Sequence, residues 1–280
     1  MIDWSVPQVR ASAVALLLFF SAAAVAAAAP ASPSELGALY RGQVDRVLEV
    51  PADEVRRYQR LAEAALINAQ AELSRAQYLL VVDRAPRVQA ALLLWRSSAG
   101  EYRFIGASPV STGRPGEFDH FETPAGVFDH SPSNSDFRAE GTFNSNGIRG
   151  YGERGMRVYD FGWQPAPKGW GDGAVIEMRL QMHATDPDSL ERRLASAQSK
   201  GCVRIPGTLN KLLDRYGVLD AEYERLAAGG QKLWVLREDR QTVSDPGRYL
   251  VIVDTGRSVR PEWSPAPYVP PVRPPAPTKR

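Results

Sequence analysis

Seven short apolar runs constrain this fold more than anything else in the chain. QYLLVVD (77–83), RVQAALLLW (87–95), EYRFIGASPVS (101–111), AGVFDH (125–130), VIEMRLQMH (175–183), KLWVLRE (232–238) and RYLVIVD (248–254) are rich in β-branched, aromatic and leucine residues. Polar or glycine-containing breaks bound each run, which is the signature of strands. Two stretches, DSLERRLASAQ (188–198) and TLNKLLDRYG (208–217), read as helices. In the second, Thr208 is a capping residue, Leu209, Leu212, Leu213 and Tyr216 form one stripe, and Gly217 ends the helix. Strands this numerous, with few helices and no βαβ alternation, predict a mainly β domain with helices at its edge.

The chain ahead of the first strand reads differently. Residues 32–76 form a helical N-terminal segment, with Pro51 at a helix start and acidic residues in the first turn. Val55, Tyr58, Leu61, Ala62, Ala65, Leu66 and Ala69 recur at three- and four-residue steps, so this helix should pack on the β domain. Residues 1–31 combine Arg10, an alanine-rich apolar run and small residues at Ala29–Ala31, the three parts of a secretory signal peptide. An uncleaved membrane anchor is the alternative. Either places the chain outside the cytoplasm, in the periplasm or cell envelope. Residues 256–280 form a Pro-rich tail, expected to be an extended spacer or a segment that docks another protein.

Export makes the cysteine count informative. Cys202 is the only cysteine, and it cannot pair within its own chain. It is a buried small hydrophobe, half of an intermolecular link, or a reactive thiol. Its neighbours in SKGCVRIP (199–206) argue for reactivity. Lys200 and Arg204 are expected to lower the thiol pKa, and Gly201 lets backbone approach a substrate. The N–H groups of Gly201 and Cys202 are candidates for stabilising an oxyanion. Ser199 is expected either to hydrogen-bond within the turn or to cap the loop.

Three histidines could serve as a base. His120 and His130 read as loop or strand-end residues. His183 ends a strand whose other face carries Ile176, Met178, Leu180 and Met182, so it is placed on the wet face. One short helix, DSLERRLAS, could return the chain from His183 to Cys202, forming the Cys–His pair that activates a nucleophile. No spacing in the chain matches a metal site, and no metal or cofactor is expected. A net charge of +2 gives no reason to expect nucleic acid as a partner.

HATDPD followed by SKGCVRIP resembles the signature of the L,D-transpeptidases with a YkuD-type catalytic domain. That family has a histidine, then Ser/Thr-x-Gly-Cys, then Asn or Arg two positions on. Here these are His183, Ser199, Gly201, Cys202 and Arg204. SPVSTGRPG (108–116), ETPAGVF (122–128) and LVIV (250–253) are similar to further segments of the family. The chain departs from the pattern at Ala184, where glycine is usual, and at Lys200, where a second histidine is common. The resemblance covers roughly 77–255 and implies a YkuD-like β-sandwich or barrel. It implies a Cys202 thiolate that attacks the third-residue carbonyl of a peptidoglycan tetrapeptide stem, releases D-alanine, and passes the acyl group to an amine. His183 would move the protons. Lys200 and Arg204 would contact substrate or orient the loop. The acceptor would be a second stem, giving a 3→3 cross-link, or a wall-linked protein. A hydrolase on the same scaffold, acting as a carboxypeptidase, and a non-catalytic wall-binding module are the alternatives.

The stretch 131–173 is rich in glycine and polar residues and long for a connection. Trp163 and Trp170 within it are either an aromatic lid over a cleft or anchors for the loop.

Overall fold

The computed structural model describes residue 1 and residues 29–269. Most of the signal-peptide assignment and the last part of the Pro-rich tail lie outside the described residues. Helix α1 (Pro33–Gln43) begins at Ser32, whose hydroxyl accepts from Glu35 N at 3.2 Å. Helix α2 (Ala52–Asn68) follows Pro51, with Asp53 and Glu54 in its first turn. The helical N-terminal segment is thus two helices with an extended link.

Five strands form the first sheet: β1 (Gln77–Asp83), β2 (Ala90–Arg96), β3 (Tyr102–Pro109), β4 (Gly126–Asp129) and β9 (Tyr249–Val253), in the order β3-β2-β1-β9-β4. β9 enters parallel to β1, with Leu79 opposite Tyr249, and antiparallel to β4. Both faces of this sheet are covered, which is why its strands read as unbroken apolar runs rather than alternating ones. Leu79, Val81, Leu92, Leu94 and Val251 point to Tyr58, Ala62 and Leu66 of α2. Leu80, Val82, Leu93, Leu250 and Ile252 point the other way, into the main core.

Across that core lies the second sheet: β5 (Phe137–Arg138), β6 (Arg157–Pro167), β7 (Val175–Ala184) and β8 (Val203–Ile205), in the order β5-β6-β7-β8. Tyr159, Phe161, Met178, Leu180, Met182, Val203 and Ile205 fill the space between the sheets, with α1 and α3 (Gly207–Arg215) closing the sides. α4 (Ala221–Ala228) completes the elements. Among the described residues the architecture is mainly β, with two sheets and four α-helices, and neither sheet closes into a barrel. No described helix is long and apolar enough to cross a membrane.

Several sequence expectations need correction. KLWVLRE is not a strand: it turns at Leu233–Leu236, where the Val235 carbonyl accepts from Arg138 and Arg157 instead of from a sheet partner. DSLERRLASAQ is not a helix beyond one tight turn at Glu191–Arg193. Its backbone bonds go sideways: Ala195 N donates to Val110 O at 2.8 Å, and Gln198 N and Ser199 N both donate to Thr112 O at 3.0 Å. Thr208 does not cap α3. Pro206 occupies that position, and the Thr208 hydroxyl bonds Asp45. The long connection 131–173 contains β5 and all of β6, which its glycines concealed. The Pro-rich tail begins packed: Trp263 meets Tyr58 edge-to-face at 5.8 Å, and Ser264 donates to Val88 O at 2.8 Å.

Candidate active site

The second sheet turns one face to the core and its other face to the candidate site. Alternation along β7 puts Met178, Leu180 and Met182 inside and Arg179, Gln181 and His183 outside. β8 runs parallel to β7, with His183 opposite Arg204. Cys202, two residues before Arg204, therefore comes level with Gln181 on the same face. The thiol and the imidazole sit one register step apart, with Cys202 between Arg179 and His183.

Two loop segments hold the cysteine turn. Ser111 exchanges both backbone bonds with Arg204, at 2.9 and 2.8 Å. Phe121 N donates to Lys200 O at 3.1 Å. Thr123 joins them: its buried hydroxyl accepts from Gly113 N at 2.7 Å and donates to Gly201 O at 2.6 Å. The segments 108–116 and 122–128 thus converge on Gly201. Gly201 has φ +133°, and a Cβ there would lie 2.8 Å from Met178 Sδ, so conformation and space both call for glycine. Ser199 closes the turn. Its hydroxyl donates to Cys202 O at 2.6 Å and accepts from Gly201 N at 3.1 Å. Of the two oxyanion candidates, the Gly201 N–H is therefore already engaged. No described residue accepts from the Cys202 N–H.

His183 is not on a wet face: it is 4% exposed. Tyr151, from the 131–173 stretch, covers it with its ring edge-on, the centroids 4.7 Å apart. His183 Nδ1 donates to the Ala184 carbonyl at 2.6 Å. That bond fixes the tautomer and leaves Nε2 with a free lone pair. Burial pushes the imidazole down to about 4; the Ala184 bond opposes this and the Arg204 charge adds to it. His183 is therefore a neutral base at pH 7.

Cys202 is partly exposed. Its Sγ lies 4.0 Å from Arg179 O, and no hydrogen bond joins it to His183. Burial pushes the thiol up, against the Gln181 backbone and Arg204, and Asp160 adds to the rise. This corrects the expectation of a thiol made acidic by flanking cations. Lys200 turns away to Asp119 at 2.6 Å and acts on solvent-side charge instead. Arg204 acts on both groups: at the thiol it opposes burial and is outweighed, and at the ring it works in the same direction as burial. The resting pair is a thiol beside a neutral imidazole.

Two features escaped the sequence. Tyr151 borders a cavity of about 610 Å³ lined by residues 137–144 and 150–152, and an isolated tyrosine in a glycine-rich stretch carries no signal of that role. The second is a buried charge network. His130 Nε2 meets Asp136 Oδ2 at 2.9 Å, Arg157 Nε meets the same oxygen at 2.6 Å, and Arg157 Nη2 meets Asp220 Oδ1 at 3.1 Å. Asp136 Oδ1 also accepts from Asp160 N at 2.8 Å, and Asp160 Oδ2 takes Arg179 Nε at 2.7 Å and Gln181 Nε2 at 2.8 Å. The network thus runs from the core to the strand beside Cys202. His130 is no plain strand-end residue: it is buried and doubly bonded. Of the two tryptophans, Trp170 anchors the 118–121 segment, 5.6 Å from Phe118 and 5.0 Å from Phe121. Trp163 stands on β6, 62% exposed. No group of three His, Cys, Asp or Glu among the described residues is arranged to hold a metal.

No protein-family model matches the chain, and no curated protein matches it. Among solved structures, the helical cell shape determining protein Pgp2 from Campylobacter jejuni is similar at 12% identity and a TM-score of 0.31, over 67% of this chain and 51% of that one. A point mutant of the same protein has the same identity and TM-score, over 82% and 57%. The chain spans little more than half the length of either. A likeness this distant carries no weight for fold or activity, so the functional reading rests on the site.

Proposed function

We propose that the protein is a cysteine-dependent acyltransferase acting on peptidoglycan stem peptides, an L,D-transpeptidase exported to the cell envelope. The observation that supports this reading is the convergence of three motif segments on one turn. Residues 111–113, 121–123 and 199–204 meet around Gly201, with Cys202 and His183 on one face of the β7–β8 ladder.

In this reading His183 Nε2 takes the Sγ proton as sulfur attacks the third-residue carbonyl of a tetrapeptide stem. A thiolate formed at the moment of attack suits a site whose burial disfavours standing charge. The sulfur and the ring must close up when substrate binds, as catalytic hydrogen bonds commonly do. The developing oxyanion meets the Cys202 N–H, a donor worth roughly 3–4 kcal/mol when well placed. The C–N bond to the terminal D-alanine breaks, and its nitrogen leaves with the proton from His183. An acceptor amine then attacks the thioester and gives its proton to His183. The C–S bond breaks, and that proton returns to sulfur.

Mass spectrometry of products from tetrapeptide muropeptides tests the proposal. Dimers that have lost D-alanine are expected from wild type, and none from Cys202→Ala. Shortened monomers alone would mean that water resolves the thioester and the protein is a carboxypeptidase. Unaltered stems, with no carbapenem adduct on Cys202, would leave a wall-binding module.

A further inference from the structure

We propose that Arg179 and Trp163 form the subsite that grips a carboxylate of the stem peptide beside Cys202. This inference rests on the transpeptidase reading for its ligand, but its geometry is independent of that chemistry.

Trp163 and Arg179 are direct cross-strand partners on β6 and β7. An irregularity between Asp160 and Trp163 brings them level. Gly162 in it has φ +78°, and a Cβ there would lie 2.7 Å from the Asn134 side chain. The register therefore lines up Trp163, Arg179, Gln181, Cys202 and His183 along one face. Trp163, 62% exposed, and the Arg179 side chain, 43% exposed, stand side by side on this face.

The arginine is held in place. Asp160, fully buried, takes its Nε at 2.7 Å. The same carboxylate is fixed by Gln181 Nε2 at 2.8 Å and by Gly162 N at 2.8 Å. Only one edge of the guanidinium is engaged. Among the described residues no acceptor meets Nη1 or Nη2. A planar fork, braced from behind and open in front, is the arrangement that receives a carboxylate through two parallel bonds. Stem peptides carry such carboxylates at the terminal D-alanine and at internal residues. Trp163 supplies an apolar wall for the adjoining carbon chain. Arg179 also borders the nucleophile through its backbone, its carbonyl lying 4.0 Å from Sγ.

Stem binding is best measured in the Cys202→Ala protein, where no turnover intervenes. The probes are a free-acid tetrapeptide stem, the same stem amidated at its terminal D-alanine, and one amidated at its internal carboxylates. Arg179→Gln is expected to weaken binding of the free acid by ~10- to 100-fold, the range of a hydrogen bond to a charged group. One amidated stem should bind the Arg179 protein equally weakly and lose nothing further in Arg179→Gln, which identifies the carboxylate gripped. Arg179→Lys, which keeps the charge and loses the fork, should fall between. If Arg179→Gln weakens all three stems by the same factor, or none, the proposal is overturned and Arg179 is a brace for Asp160. Wild-type turnover is scored separately, so carboxylate-dependent binding without transfer would sink the transpeptidase reading alone.

Discussion

The two sheets achieve burial by opposite means. The first is apolar on both faces: Gln77–Asp83 is buried throughout, and Ala90–Arg96 nearly so. The second buries an apolar face against it, but also encloses His130, Asp136, Arg157, Asp160 and Asp220. Apolar burial contributes about 1.5–3 kcal/mol per large side chain and is indifferent to exact partners. A buried ion network contributes little net stability but tolerates only one arrangement. The chemistry stands on the second sheet, where exact placement of Arg179, Gln181 and Cys202 is what matters. The first sheet supplies the mass it is built on.

The sharpest way to break this contrast is Arg157→Met. It strips the cation from three carboxylates, Asp136, Asp214 and Asp220, and is expected to cost about 3–5 kcal/mol in denaturant unfolding. Activity of the folded fraction should fall too, because Asp136 also holds the Asp160 backbone. Leu92→Ala, in the first sheet, should cost about 2–5 kcal/mol by the same measurement. Its kcat/KM below the melting transition should match wild type. Equal loss of kcat/KM in both variants would erase the distinction between the sheets.

Thr123→Val sharpens the contrast at the join between the loops. It preserves shape but removes the bonds to Gly113 N and Gly201 O, at about 2 kcal/mol of stability. Activity should drop further than that loss of stability explains, because the Gly201 turn is freed. The smallest expected effect is in pH dependence. Burial raises the thiol above its ordinary 9.0, so Cys202 alkylation by iodoacetamide should climb with pH and level off only above that value. His183, lowered to about 4, stays unprotonated as pH rises from there. The acid limb of stem acylation should therefore fall near 4. A limb near 6.5 would mean the ring is solvated and the Tyr151 cover is open.

The first sheet was largely legible. QYLLVVD, RYLVIVD and the α2 stripe carry their own burial in their residue types, and the structure forms them where the pattern lies. In the second sheet the reading weakened as contacts became long-range. β7 was visible because its faces alternate. β6 was not, because Gly162, Pro165 and Pro167 break the strand pattern, and the irregularity that accommodates Gly162 is a tertiary feature. The motif residues Cys202, His183, Ser199 and Gly201 could be named from local sequence. Their electrostatics could not. Lys200 adjoins the cysteine in sequence but reaches Asp119, and the burial that governs the thiol comes from elements far along the chain. Tyr151, Asp160 and Arg179 acquire meaning only through register and packing.

The insertion of β9 between β1 and β4 has a consequence for assembly. Until the ribosome has released residues 249–253, β1 and β4 each present an unpaired edge to their surroundings. The larger sheet cannot be zipped from its N-terminal end as the chain emerges. Its closure is a late, long-range step, the kind that makes folding slow and leaves nascent chains prone to self-association.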